Sequence, residues 1–416
     1  MAELILILYR LLSSIVVWPL ALVLKNHPNF ISTIPARLSL SLPEACHGRH
    51  VVWVHAASVG EVRAASALVK SIKEHCPECF TFLTSMTATG RHVAGNAALA
   101  DMVYPFPFDS YRSMKRLLLR LQPSVILVIE TEIWPNMLCA AGDLEIPFVF
   151  VNARMSLKSF QKYRMLSPFL RKLLNRVHVM AMSGDDAKRF SRLGAGDVQV
   201  LGNLKLDAIG TADPCEVAGL RAELGIGTRP VFIAGSIREG EEESVIEAVV
   251  HARSQIRDLF TIVAPRHPDR VDRVRSLAER SGIRTTLRSS LEQNSDLLVV
   301  DTMGELFRLY GISDVAFVGG SLVDLGGQNI LEPVAWGVPT LHGPHMDNFT
   351  WALEVVRGHT VGVASPRELA DAVVTILRNR EGYTEMTNRA RAALLEAHGV
   401  TDRYVHALEP FLRSTP

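Results

Sequence analysis

VVWVHAASVGEVRAA, running from Val51 to Ala65, decides how this chain folds. Its first five residues, Val51–His55, are four successive apolar side chains closed by a histidine, which suits a strand buried on both faces of a parallel sheet. Gly60 marks a turn, and a helical pattern opens at Glu61. Strand, turn and helix in such quick succession form the first half of a βαβ unit.

The same alternation continues on both sides. Phe80–Thr84, Val125–Ile129, Pro147–Val151, Val177–Met182 and Val198–Leu201 read as further strands of the first half. Val231–Ala234, Leu259–Val263, Leu297–Val300, Val315–Val318 and Thr340–Leu341 read as strands of the second. This predicts an α/β protein with two doubly wound, Rossmann-like domains facing each other across a cleft. A Gly/Ala/Asp-rich stretch from Asp207 to Gly227 separates them, so the expected domains are 26–207 and 208–416, after a separate segment 1–25. Neither half contains G-x-G-x-x-G or G-x-x-x-x-G-K-S/T, which argues against a dehydrogenase and a P-loop ATPase.

The chain has 416 residues, 48% apolar and 21% charged, with 28 Gly and 21 Pro, and this excludes collagen-like, coiled-coil and disordered classes. Five cysteines exclude a disulfide scaffold and fit a reducing compartment, and Cys76-Pro-Glu-Cys79, without a second pair, reads as structural. The net charge of +1 conceals an asymmetry: residues 1–207 carry +8 and residues 208–416 carry −7. Opposite signs suggest different partners for the two halves, and no nucleic-acid-binding motif accompanies the basic half.

Two segments point to a membrane. Leu4–Leu24 is a 21-residue apolar run with one charge, Arg10, and a proline, Pro19. It is long enough to cross about 30 Å of hydrocarbon. No basic residue precedes it and no A-x-A site follows, so it reads as an anchor rather than a cleaved signal. Lys25 and Arg37 follow it, which predicts a cytoplasmic body. Between Glu145 and Asp185 there is no acidic residue, yet Arg154, Lys158, Lys162, Arg164, Arg171, Lys172 and Arg176 alternate with apolar side chains. That pattern fits contact with an anionic membrane surface.

Candidate chemistry lies at strand ends, where open α/β sheets bind ligands. Glu61, on the first helical turn after Gly60, is either a capping carboxylate or a base whose pKa a partly dry site would raise. Glu130-Thr131-Glu132 ends the strand SVILVI, and sugar binding, structure and catalysis all suit it. In the second half Ser236-Ile237-Arg238-Glu239 reads as a capping box opening a phosphate-binding helix. Arg266 and His267 follow another strand. Gly319-Gly320-Ser321 would admit a phosphate close to the backbone, and Asn329 to Glu332 would offer a carboxylate to ribose hydroxyls.

Taken together, HAASVGE (55–61), TSMTATG (84–90), ETEIWPN (130–136), NARMS (152–156), GNLKLD (202–207), APRHP (264–268), DTMGEL (301–306), FVGGSL (317–322), GGQNILEP (326–333) and GPHMDNF (343–349) resemble the 3-deoxy-D-manno-octulosonic acid (Kdo) transferases of lipopolysaccharide synthesis. The resemblance implies a GT-B fold, an N-terminal acceptor domain at the bacterial inner membrane with its catalytic domains on the cytoplasmic face, and a C-terminal domain for CMP-Kdo. The last helix is expected to pack back on the first domain. The resemblance implies that Glu61, the last residue of the SVGE motif, is the catalytic base of an inverting transfer to a lipid A precursor. Ser58, Gly60, Glu130, Glu132 and Arg154 would hold acceptor or donor sugar. Ser236, Arg238, Arg266, His267, Met303, Gly304, Glu305, Gly320, Ser321, Asn329 and Glu332 would bind the nucleotide. Gln328 and Arg238 depart from the family pattern, each standing where histidine is usual. No cofactor and no metal are expected, CMP-Kdo being a substrate. The alternatives are another GT-B enzyme acting on a membrane lipid, or a non-catalytic nucleotide-sugar binder.

Overall fold

The computed structural model describes residues 2–24, 26, 30, 32–44, 49–292 and 294–412. It divides into two compact units, Met1–Ala208 with Gly399–Pro416, and Ile209–His398.

The first unit is built on seven parallel strands: β1 (His50–His55), β2 (Cys79–Ser85), β3 (Met102–Pro105), β4 (Val125–Ile129), β5 (Phe148–Ala153), β6 (Val177–Ala181) and β7 (Asp197–Val200). Their order is β3-β2-β1-β4-β5-β6-β7. The chain therefore reverses its winding between β1 and β4, and His55 aligns with Thr84 on one side and Val128 on the other. Trp53, Phe82, Ile126 and Phe150 are fully buried between the sheet and its helices, each worth about 1.5–3 kcal/mol or more relative to exposure.

The second unit repeats the plan with β8 (Val231–Ile237), β9 (Phe260–Pro265), β10 (Thr285–Leu287), β11 (Leu297–Val299), β12 (Val315–Val318), β13 (Thr340–His342) and β14 (Val361–Gly362). The order is β10-β11-β9-β8-β12-β13-β14, so its winding reverses between β8 and β12. Three strands here were not expected, β3, β10 and β14. All three are sheet edges, where four or fewer residues suffice and an apolar run is not required.

The apolar N-terminal segment forms one helix, Ala2–Leu24, and it has two faces. Tyr9, Ser13, Val17 and Ala21 recur every four residues and, with Arg10, face the rest of the first unit. The Tyr9 hydroxyl donates to Asp109 (2.9 Å), Asn136 Nδ2 donates to Ser13 Oγ (2.8 Å), and Arg10 pairs with Asp143 (3.5 Å). Val17 and Ala21 are buried beside Leu38. The opposite stripe, Leu8, Leu11, Leu12, Ile15, Trp18 and Leu22, is exposed.

Two readings need correction. Arg37 is not a surface cation flanking an anchor: it is fully buried, donating to the carbonyls of Phe106 (2.9 Å) and Met86 (2.6 Å). Burial and the neighbouring Arg91 pull its pKa down to about 10. Lys25 lies outside the described residues, so the charge argument for orientation is left without support. Cys76 and Cys79, read as structural, are joined by a disulfide just beyond the Val59–His75 helix, which runs against the reducing compartment that the cysteine count suggested.

Candidate active site

Both winding reversals carry the candidate residues, as the crevice rule for open α/β sheets predicts. In the first unit Ser58 caps the Val59–His75 helix, and Glu61 completes a reciprocal box with it. The Ser58 hydroxyl donates to Glu61 Oε1 (2.9 Å) and the Ala57 amide donates to Oε2 (2.7 Å). Those two bonds favour the carboxylate. Burial opposes them and prevails, and the nearby charges of Glu132 and Glu130 add to it, so the pKa of Glu61 rises to about 7. Glu61 is thus a helix cap and a poised acid–base group at once. Gly60 adopts ordinary dihedrals, and its missing side chain keeps the helix start open beside Ser58.

Glu132 has a different environment. Its Oε2 accepts from His55 Nε2 (2.8 Å) and from Trp134 Nε1 (3.0 Å). Burial pushes its pKa up, but these two donors outweigh burial and hold it below the usual carboxylate value. A carboxylate only accepts, so His55 Nε2 carries the hydrogen. The Thr84 hydroxyl accepts from Trp53 Nε1 (2.9 Å), and His55 Nδ1 lies within hydrogen-bonding distance of both the Thr84 hydroxyl (2.9 Å) and the Thr84 carbonyl (3.2 Å). His55 is itself fully buried and stacked on Phe106 at 3.9 Å. The reading of the sequence missed it as a site residue. The signal was there, a histidine ending an apolar strand three residues before Ser58.

Glu130 sits directly after β4 with φ +60°, a left-handed conformation uncommon for a side-chain-bearing residue. It is held there by its amide bond to the Val151 carbonyl and an ion pair with Lys205 at 3.1 Å. Lys205, in GNLKLD, was also not anticipated. Arg154 is half-buried, its backbone exchanging hydrogen bonds with Thr131 Oγ1, and among the described residues its guanidinium has no ion-pair partner.

In the second unit the expected Ser236–Glu239 capping box does not form. β8 extends through Ile237, Ser236 takes φ +55°, and the helix begins only at Glu242. The fully buried Glu241 does the anchoring instead. Its carboxylate accepts from the amides of Arg238 (2.9 Å), Gly320 (2.5 Å), Ser321 (2.8 Å) and Leu322 (2.8 Å). Gly319 must be glycine, since a Cβ would lie 2.5 Å from the Ile237 Cα. The Gly320 and Ser321 amides are therefore already satisfied by a carboxylate, and the Ser321 side chain is fully buried. These residues shape the loop; the expected backbone phosphate cradle is occupied from within the protein.

Around this loop Arg238 and Gln328 flank Gly320, and the Arg238 Nε is buried without a partner among the described residues. Arg266 and His267 are exposed beyond β9. Glu332 is partly buried. Burial raises its pKa, which Asn329 and the charge of Arg266 counteract, so these three residues lie together. Glu305 is paired with Arg288 (2.8 Å), while Met303 and Gly304 are exposed next to it. Asp324, His345 and Asp347 bring three ligand atoms within 4.8 Å of one another on the surface, a grouping that their spacing in sequence conceals.

The comparisons with known proteins agree with one another. Residues 32–208 match the family described as 3-Deoxy-D-manno-octulosonic-acid transferase (kdotransferase). The 3-deoxy-D-manno-octulosonic acid transferase of Haemophilus influenzae is 32% identical over 92% of this chain and 92% of its own. That of Bordetella pertussis is 34% identical over 87% of each. The solved glycosyltransferase of Rickettsia africae superposes with a TM-score of 0.61, at 12% identity, over 89% of this chain and all of its own, and so shares the two-sheet GT-B fold. The chain belongs to the Kdo transferases, and it is a glycosyltransferase.

Proposed function

We propose that this enzyme moves Kdo from CMP-Kdo to a hydroxyl of a lipid A precursor with inversion, Glu61 serving as general base. The observation that carries this is a carboxyl group with a pKa of about 7 at the winding reversal of the first unit. A base poised near the working pH combines a large ionised fraction with useful basicity. In this reading Glu61 takes the proton of the acceptor hydroxyl as its oxygen attacks the anomeric carbon, and the bond to the CMP phosphate breaks. Glu130 with Lys205, Glu132 and Arg154 orient sugar hydroxyls and carboxylate.

Charge develops on the departing phosphate. Because Glu241 fills the backbone cradle, its neutralisation falls to the guanidinium groups of Arg238 and Arg266. Glu332 and Asn329 suit the ribose. No step requires a metal.

The enzyme works at the cytoplasmic face of the bacterial inner membrane, where nucleotide sugars are available. Two features support a membrane reading: the exposed apolar stripe of the N-terminal helix, and the exposed Lys158, Lys162 and Arg164. With its other stripe tied to the first unit, the helix suits a position in the plane of the interface. Incubation with CMP-Kdo and lipid A precursor, followed by mass spectrometry of the lipid, tests the reading. Lipid heavier by Kdo supports it; unchanged lipid, with the donor intact, refutes it.

A further inference from the structure

A cavity in the first unit lies at the opposite end of the strands from Glu61. It is about 780 Å³ in volume and opens beside the first residues of β5 and β6, Phe148 and Val177. That size is typical of a small-molecule site. Its distance along the strands from the winding reversal separates it from the acceptor chemistry.

Its walls divide by character. Leu6, Ile7, Ile146 and Leu173 supply an apolar side, and Arg10, Lys172 and Arg176 supply three cations. Asp143 and Glu145 also line it. Asp143 is neutralised by Arg10 and accepts from the Tyr111 hydroxyl (2.6 Å), whereas Glu145 is exposed to water. The Arg10 side chain lines the cavity and keeps 31% of its surface exposed, so its guanidinium has donors open to an oxyanion there. The apolar wall is also continuous with the surface, because Ile7 both lines the cavity and begins the exposed stripe Ile7, Leu8, Leu11, Leu12 and Ile15.

An oxyanion beside apolar surface that continues onto an exposed apolar helix is the chemistry of an anionic phospholipid. We propose that this cavity binds one such lipid, its phosphodiester on Arg10, Lys172 and Arg176 and one acyl chain along Leu6, Ile7 and Leu173. The proposal rests on the membrane reading above and deepens it. Electrostatic attraction to a surface is diffuse, whereas this site is stereospecific and saturable, and it fixes the depth and rotation of the helix in the interface.

The test uses the full chain in neutral detergent and dihexanoyl phosphatidylglycerol below its micelle concentration, with binding followed by calorimetry. Saturable binding is expected, absent for dihexanoyl phosphatidylcholine and for inorganic phosphate. In Lys172→Gln/Arg176→Gln it should weaken by roughly tenfold or more, while Lys158→Gln/Lys162→Gln, outside the cavity, leaves it unchanged. A cavity-filling Leu173→Phe provides a second variant that keeps every charge and should also weaken it; melting curves show that each variant is folded. Equal binding of the two lipids, equal binding of inorganic phosphate, or indifference to both cavity variants overturns the proposal. Vesicle sedimentation separates the two claims. If the protein sediments with phosphatidylglycerol vesicles but shows no saturable site, the cavity proposal fails alone; if it sediments with no vesicle, the membrane reading fails with it.

Discussion

Glu132 raises the pKa of Glu61, while its own carboxyl is held low by the 2.8 Å contact with His55. Two carboxylates at one strand-end crevice are thereby assigned different ionisation. Glu132 stays charged and orients, and Glu61 titrates near neutrality, the pattern by which acid and base roles are separated in many active sites.

This relationship fixes the pH dependence. A base must be ionised, so kcat should fall as pH drops through about 7, the raised pKa of Glu61. Glu132→Gln removes a negative neighbour and lowers that pKa, moving the acid limb to lower pH. Ser58→Ala removes a donor to the carboxylate, moves the limb to higher pH and costs about 1 kcal/mol as a lost helix cap. Rate profiles between pH 5 and 9 check both, and shifts of the same sign would contradict the electrostatic account.

Glu241 predicts a coupled loss. Glu241→Gln keeps the size but presents one oxygen to four amides, and bonds to a charged acceptor are worth about 1.5–3 kcal/mol. The Tm of the protein should fall by several degrees and the KM for CMP-Kdo should rise, since the loop 319–322 beside Arg238 loses its anchor. An unchanged melting curve would show that the loop is held by its glycines alone.

Glu332→Ala should raise the KM for CMP-Kdo by roughly tenfold or more, with a smaller effect on kcat, as expected for a lost bond to a ribose hydroxyl. Steady-state kinetics in the donor concentration measure this, and an unchanged KM removes Glu332 from the nucleotide.

Lys158, Lys162 and Arg164 are exposed in a stretch without acidic residues. Replacing all three with glutamine should reduce activity on membrane-embedded acceptor, by a factor that shrinks as salt screens the surface. Equal loss at low and high salt would assign them to folding instead.

Much of this was legible before the fold. Buried parallel strands announce themselves as apolar runs, so ten of the strands and the places of both strand-end clusters could be read directly, as could the exposed edge β7 from its alternating valines. The edge strands β3, β10 and β14 could not, because an edge needs neither length nor apolarity. Nor could Glu241, whose four partners include three amides about eighty residues away; the sequence offered Ser236 and Glu239 as the nearer pair. Arg37 misled for the same reason: a lone arginine after an apolar run reads as a surface charge until the carbonyls of Met86 and Phe106 close around it.

The most direct test of the central claim is kcat of Glu61→Gln. Glutamine preserves the shape and can still accept from the Ala57 amide, its NH2 then donating to the Ser58 hydroxyl, but it cannot take a proton, and general-base catalysis contributes roughly 10²–10⁴-fold. The account predicts a fall in kcat of that size, with CMP binding and Tm close to wild type. A variant retaining more than about a tenth of wild-type kcat would leave Glu61 a helix cap only, and the base would lie elsewhere.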